Sequence, residues 1–205
     1  MPKVDVADER RAQIIEAALA CFARKGYHLT TMDDIVAESG LSKGSLYWYF
    51  KSKKEIFLAT AVSFFQQMEA SIQEVLGMPL SPGEKLRGIA RTFLVGMEEA
   101  KPFIGVMVDF WSQTRQEEDV NQLLKSIYEP YAVALSGVIE EGIRQGEFRP
   151  VNAGHMASLL IAVYDGLAMQ LLAFPERVGL EGLTETLLDV LLEGLKPRQA
   201  MGQRR

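Results

Sequence analysis

Between Ser42 and Lys54 the chain reads SKGSLYWYFKSKK. Three rings, Tyr47, Trp48 and Tyr49, lie among Lys43, Lys51, Lys53 and Lys54, and no acid occurs between Glu38 and Glu55. Rings usually go inside and lysines usually stay in water, so the mixture needs a surface that suits both. A nucleic-acid duplex is one: ammonium groups neutralise phosphates, and aromatic bodies with polar tips lie along sugar and phosphate. Gly44 and Ser45 are small, so a helix that starts at Ser42 can approach a groove closely, and the free amides of a helix start suit a phosphate.

Catalytic chemistry has no comparable cluster. His28 and His155 are far apart, and the single cysteine, Cys21, sits in an apolar helical pattern. No HxxxH, paired cysteines, nucleophile elbow or phosphate loop occurs. Glu140 and Glu141 are adjacent on a helix and point about 100° apart. We therefore expect no catalytic residue, no metal ligands and no cofactor, and a protein that is not an enzyme.

The elements that must position the ring-rich stretch read as helices. Ile15, Ala18, Leu19 and Phe22 form the stripe of a first helix, ended by Gly26. Thr31 caps a second, with Asp34 three residues on and Asp33 in the first turn, and Gly40 stops it. A third starts at Ser42. Ile35, Val36, Leu41 and Leu46 fill the crossing of the second and third helices, the geometry of a helix-turn-helix. Ser52 before Glu55 is a capping box that opens a fourth helix of about 24 residues. Ser81, Pro82 and Glu84 open a fifth, from Pro82 to about Ala100, broken near Pro102. Further helices are expected from Phe103 to about Arg115 and from about Val120 to Gly142, with Pro130 kinking or restarting the latter. The last two run from Ala153 to Phe174 and, after a PERVG turn, from Leu183 to Leu195.

The 205 residues are 48% apolar and 24% charged, close to an average globular chain. No run of about twenty apolar residues stands out, so neither a membrane span nor a membrane partner is expected. The charged N-terminus is unlike a secretory leader, and one cysteine permits no internal disulfide; both point to the cytoplasm. Net charge is −5, yet residues 1–54 hold nine Lys/Arg against seven Asp/Glu, while residues 55–205 hold thirteen against twenty. A small basic face on an acidic body again directs attention to phosphates.

TTMDDIVAESGLSKGSLYWYFKSKKEIF resembles the DNA-binding segment of the TetR/AcrR family of bacterial transcriptional regulators, strongly over residues 10–57. Thr30, Thr31, the Asp34–Ile35 step, Gly40, SKGSLYWYF and the capping box carry the resemblance; Val36 stands where many members have alanine. The resemblance implies an all-α fold. Residues 1–54 would form a three-helix helix-turn-helix DNA-binding domain and residues 55–196 a larger helical domain for ligand binding and dimerisation, followed by a polar tail at 197–205. It implies that Thr31 and Ser42 touch phosphates and that Lys43, Gly44 and Ser45 lie nearest the base edges. Tyr47, Trp48 and Tyr49 would meet backbone or a thymine methyl, and Lys53 would hold a phosphate. The partners would be double-stranded operator DNA, a small-molecule effector and a second copy of the chain. YDGLAMQ, Tyr164 to Gln170, is similar to a stretch of betaine-regulator type C-terminal domains.

The larger domain is rich in bulky apolar residues. Phe65, Met68, Met97, Phe103, Met107, Phe110, Trp111, Tyr128, Tyr131 and Tyr164 are the candidates for an adaptable apolar pocket. Asp109 is a possible partner for a cation, and Arg91 and Arg115 for an anion. Ala153, Ala157, Ala162 and Gly166 offer close approach for a dimer, beside a stripe of Leu183, Leu187, Val190, Leu191 and Gly194. The function expected is a ligand-responsive regulator, in the first place a repressor released from a palindromic operator by a small, largely apolar effector. An activator with the same head, or a helical ligand-binding protein without DNA binding, are the alternatives.

Overall fold

The structure is a computed structural model that describes residues 6–114, 116–174, 176 and 179–197. Arg115, most of the PERVG turn and the polar tail from 198 onward lie outside the described residues. The helices in chain order are α1 (Val6–Leu29), α2 (Met32–Ser39), α3 (Lys43–Tyr49), α4 (Lys53–Gly77), α5 (Pro82–Thr114), α6 (Glu118–Gln145), α7 (Ala153–Ala173) and α8 (Leu180–Leu195). No strand occurs among the described residues, as an all-α chain requires.

Local chemistry accounts for the short helices. Gly26 takes φ 74° and ψ 165°, a conformation open to glycine, and interrupts the helical backbone of α1 there. Thr31 and Asp34 cap α2 reciprocally: the Thr31 hydroxyl accepts from the Asp34 N–H, and the Asp34 carboxylate accepts from the Thr31 N–H at 2.9 Å. Gly40 at φ 66° closes α2 in the left-handed region. Ser42 caps α3 by accepting from the Ser45 N–H at 3.1 Å. The buried stripe of α1 is Ile14, Ala17, Ala18, Cys21 and Phe22. It is turned by about one position from the Ile15–Ala18–Leu19–Phe22 stripe read from spacing, because both sets are apolar and only packing on α2 selects between them.

Two features depart from the sequence expectation. First, α5 is one helix of 33 residues that continues through position 102. A proline inside a helix costs about 3 kcal/mol. Met97, Phe103, Ile104, Val106 and Phe110 are all buried on either side, and each such side chain contributes roughly 1.5–3 kcal/mol. Continuity therefore wins. Pro130 likewise sits inside an unbroken α6. Second, α7 is, by length and composition alone, apolar enough to cross a membrane, with a mean hydropathy of 1.6 over 18 residues. His155, Ser158, Asp165 and Gln170 interrupt it, so it is not the unbroken apolar run that a count along the sequence looks for.

The chain divides into two compact units, Met1–Gln67 with Ala100–Gln122, and Met68–Glu99 with Leu123–Arg205. The units do not part at residue 54, where the sequence places a boundary. The first turns of α4 and the later turns of α5 belong with α1–α3 because their rings share one core. Phe57 stacks on Phe110 at 4.1 Å and meets Phe22, Tyr27 and Phe103 at 5.1–5.7 Å. In the second unit the Arg149 N–H donates to the Leu195 carbonyl at 2.8 Å, tying the α6–α7 connection to the end of α8.

Removing the central ring is expected to loosen the first unit as a whole. Phe57→Ala should lower the stability of that transition by about 3–5 kcal/mol, and Phe57→Leu by markedly less. Denaturant unfolding monitored by tyrosine and tryptophan emission measures both.

Candidate functional site

The recognition surface rests on a small apolar crossing. Ile35 of α2 and Leu46 of α3 are fully buried, and Phe50 closes the crossing from below at 1% exposure. Gln13 of α1 donates from Nε2 to the Ser39 carbonyl at 2.8 Å and holds the turn between the two helices. The Arg11 guanidinium lies 5.3 Å above the Phe50 ring. Sequence spacing does not reveal Gln13 or Arg11, because their partners are 26 and 39 positions away.

With Leu46 and Phe50 inward, α3 turns Lys43, Gly44, Tyr47 and Trp48 outward. Trp48 is 69% exposed and Tyr47 36% exposed. Tyr49 is half-buried, its ring edge-on to Trp48 at 4.6 Å. Ser45 is half-buried, and Ser42 and Thr31 are exposed while acting as helix caps. The structure thus brings Thr31, Ser42, Lys43, Gly44, Ser45, Tyr47, Trp48 and Tyr49 together on α2 and α3. A free tryptophan on a seven-residue helix has no role in the core, and a flat polar surface is what it can cover.

Lys53 differs from the sequence expectation. Its ammonium donates to the carbonyls of Tyr27, His28 and Thr30 at 2.6, 3.0 and 2.7 Å, and lies 4.5 Å from the centre of the Tyr27 ring. An ammonium has three N–H donors, and all three are used. Burial lowers its pKa, the Asp109 charge opposing that shift. Lys53 is therefore turned into the protein, where it caps carbonyls left open at the end of α1, rather than toward a phosphate. Its neighbours are also engaged. Lys51 donates to the Tyr47 carbonyl at 2.9 Å, and Lys54 pairs with Glu117 and with Asp119. Arg24 pairs with Glu38, and Lys25 with Asp34, whose carboxyl is held down at about 2 chiefly by that hydrogen bond.

The ten pocket candidates divide between the two units. Phe65, Phe103, Met107, Phe110 and Trp111 belong to the first unit, and Met68, Met97, Tyr128, Tyr131 and Tyr164 to the second. Phe103 and Phe110 are buried in the aromatic core around Phe57. Trp111 is 52% exposed. In the second unit Phe93, absent from the candidates, stacks on Tyr164 at 5.0 Å and meets Tyr131 edge-on at 5.4 Å. Tyr164 Oη and Thr184 Oγ1 are buried there without a hydrogen-bond partner. Burial pushes the Tyr164 phenol up to about 12, offset slightly by the nearby Thr184 hydroxyl. Of the ten, Tyr128 lines an open groove of about 550 Å³ between α6 and α7, where its hydroxyl donates to Asp165 at 3.1 Å. No group of three residues suited to hold a metal ion occurs among the described residues.

Known proteins share this arrangement. Residues 14–60 match the family model for bacterial regulatory proteins of the tetR family, and residues 82–196 match the model for the C-terminal part of BetI-type transcriptional repressors. The chain is 34% identical over 202 residues to YfiR, an HTH-type transcriptional regulator of Bacillus subtilis strain 168, covering 90% of this chain and 92% of that one. It is 29% identical over 205 residues to the HTH-type transcriptional regulator TtgR of Pseudomonas putida, covering 95% of each. A transcriptional regulator from Saccharomonospora viridis, crystallised with choline, superposes with a TM-score of 0.81 at 24% identity, over 93% of this chain and all of that one.

The inward Lys53 has a measurable signature. Lys53→Ala should destabilise the first unit by about 1.5–3 kcal/mol through lost charged hydrogen bonds. The slope of log affinity against log salt for any duplex should stay within about 0.3 of the parent's, whereas a lost phosphate contact would flatten it by about one. Thermal unfolding and a salt series of binding curves decide between them.

Proposed function

The chain belongs to the TetR family of bacterial transcriptional regulators, and from that premise we propose that it is a dimeric cytoplasmic repressor whose grip on a palindromic operator is relaxed by a small, largely apolar effector. It is a ligand-responsive DNA-binding regulator, and the observation that carries the DNA-binding half is the outward face of α3. Trp48 and Tyr47 stand exposed beside Gly44 and Lys43 on a helix whose other side is fully buried at Leu46. In our assignment Lys43, Gly44 and Ser45 approach base edges, Tyr47, Trp48 and Tyr49 lie on the backbone, and Thr31 and Ser42 meet phosphates.

Dimerisation is supported by the two faces of α7 and α8. The inner stripe of α7, Ala153, Ala157, Leu160, Tyr164, Leu167 and Leu171, is buried in the second unit. Leu159, Val163, Met169 and Leu172 on its other sides remain exposed. In α8, Leu180, Thr184, Leu188 and Leu195 face in, while Leu183 and Val190 are 41% and 69% exposed. A water-exposed apolar surface of this extent calls for a cover. We assign it to the same surface of a second copy, packed as a four-helix interface. Twofold symmetry then presents two α3 helices to half-sites one or more turns of about 34 Å apart. Ala153 and Ala157, expected from spacing at this interface, are instead inside the second unit.

For the effector we assign the layer of Phe93, Tyr131 and Tyr164 in the second unit. The buried hydroxyls of Tyr164 and of Thr184 beside it leave hydrogen-bonding capacity that a ligand's polar atom can use, and the rings offer flat apolar contact. The effector acts only insofar as it binds the conformer of low operator affinity more tightly than the other. That one structural relative was crystallised with choline supports a small organic effector, without naming this one.

Selection of genomic fragments by the purified protein should yield an inverted repeat, and a duplex carrying it should bind far more tightly than a scrambled one. Recovery of no enriched sequence would refute the assignment. Charging the proposed interface with Val163→Glu and Val190→Glu should weaken self-association at least about a hundredfold. Light scattering after gel filtration should then give the monomer mass, and operator binding should fall with it.

A further inference from the structure

Two acids lie in the first turn of α2, where both suit the helix dipole, but only one of them caps the helix. Asp34 completes the capping box with Thr31 and also holds Lys25 at 2.6 Å. Asp33 remains 71% exposed, and its Oδ1 lies 2.7 Å from Nζ of Lys43, itself 61% exposed at the first turn of α3. The other cations of this region do structural tasks. Lys53 caps backbone carbonyls, Lys54 ties α4 to the start of α6, and Lys25 and Arg24 join α1 to α2. Breaking Lys43 from Asp33 uncaps nothing, because Thr31 and Ser42 cap α2 and α3 independently, and it opens no core, because both side chains are in water. Such an exposed pair adds little to stability. Its position is what matters: a carboxylate sits against the one outward cation at the start of the recognition helix.

We propose that Asp33 is an internal counterion for Lys43 and a specificity-determining residue, which lowers the affinity of the head for DNA in general and so widens the margin for its operator. This rests on the assignment of the α3 face to the duplex. On arbitrary DNA, Lys43 gains a phosphate only by leaving Asp33, and the freed carboxylate then faces the negatively charged backbone, so the exchange yields nothing. At the operator, a base-edge acceptor placed for Lys43 and the remaining contacts in register offset that loss. Discrimination is a difference of two affinities, and weakening the unwanted one enlarges it. Besides Asp33, the group that acts on the Lys43 charge is the Tyr47 phenol on the same helix.

The test uses the full chain, its Asp33→Asn and Lys43→Ala variants and the double variant. Each is titrated against a random-sequence duplex and the selected operator across a salt series, by fluorescence anisotropy. Asp33→Asn should tighten random-duplex binding about fivefold at low salt, the effect of one charge at close range in water. The salt slope should steepen by about one, and operator binding should improve less, so that the ratio of the two affinities falls. In the Lys43→Ala background the same change should have less than about half of that effect on a logarithmic scale. Unchanged random binding and slope in Asp33→Asn would overturn the proposal. So would an equal gain in both backgrounds, which would mean that Asp33 merely repels phosphate. If Lys43→Ala alone changed neither affinity, the assignment of the α3 face would fall first, and the proposal with it. Coincident thermal midpoints of the four proteins establish that the comparison reports binding.

Discussion

The structure of the head depends on where the carbonyls at the end of α1 find their donors. The helix stops at Leu29, and the carbonyls of Tyr27, His28 and Thr30 lack the partners that a continuing helix would supply. Lys53, at the start of α4, satisfies all three with one ammonium while its charge lies on the Tyr27 ring. This fixes the first turn of α4 against the end of α1. Phe57, one turn further along, then falls among Phe22, Tyr27, Phe103 and Phe110, so a polar clamp and an aromatic core specify the same placement. The turn after Thr30 also starts α2, so the clamp sets the frame in which α2 and α3 cross.

The same clamp changes the meaning of the head's positive charge. A count of lysines describes a basic face, but in three dimensions Lys51, Lys53, Lys54, Lys25 and Arg24 all have acceptors within the protein. Acids offset the charge of Lys54, Lys25 and Arg24, while Lys51 and Lys53 sit on neutral carbonyls. In our assignment, shape and exposed rings carry much of the recognition. This is why the exposed Trp48 and the closely approachable Gly44 weigh more in the functional assignment than the number of cations.

In the second unit the governing feature is that α7 is apolar on more than one side. Its composition passes for that of a membrane span. Asp165 at mid-helix, an expensive residue in a bilayer, is instead at the α6–α7 groove with Tyr128, whose phenol is raised by burial and by that carboxylate. The inner stripe of α7 packs against its own chain, and the outer residues carry the exposed apolar surface that we assign to a dimer. The unsatisfied pair of Tyr164 and Thr184 lies between α7 and α8, so the helices that we assign to dimerisation also supply the hydroxyls that we assign to the effector.

By itself the sequence determined what is set within a few residues along the chain. The caps at Thr31, Ser42 and Ser52, the stops at Gly26 and Gly40, the helix-turn-helix and the outward Trp48 are all local, since a cap spans three residues and a helical face repeats every three or four. Tertiary structure alone decided everything that depends on distant partners. It chose Ile14 over Ile15 for the core of α1, carried α5 through Pro102, moved Phe103 and Phe110 from a presumed pocket into a core, and turned Lys53 inward to carbonyls more than twenty positions away. A lysine or a phenylalanine has the same local signature whether it serves a ligand, a phosphate or the fold. The difference lies in which group from elsewhere in the chain lies within about 3–4 Å of it, and spacing along the sequence carries no information about that.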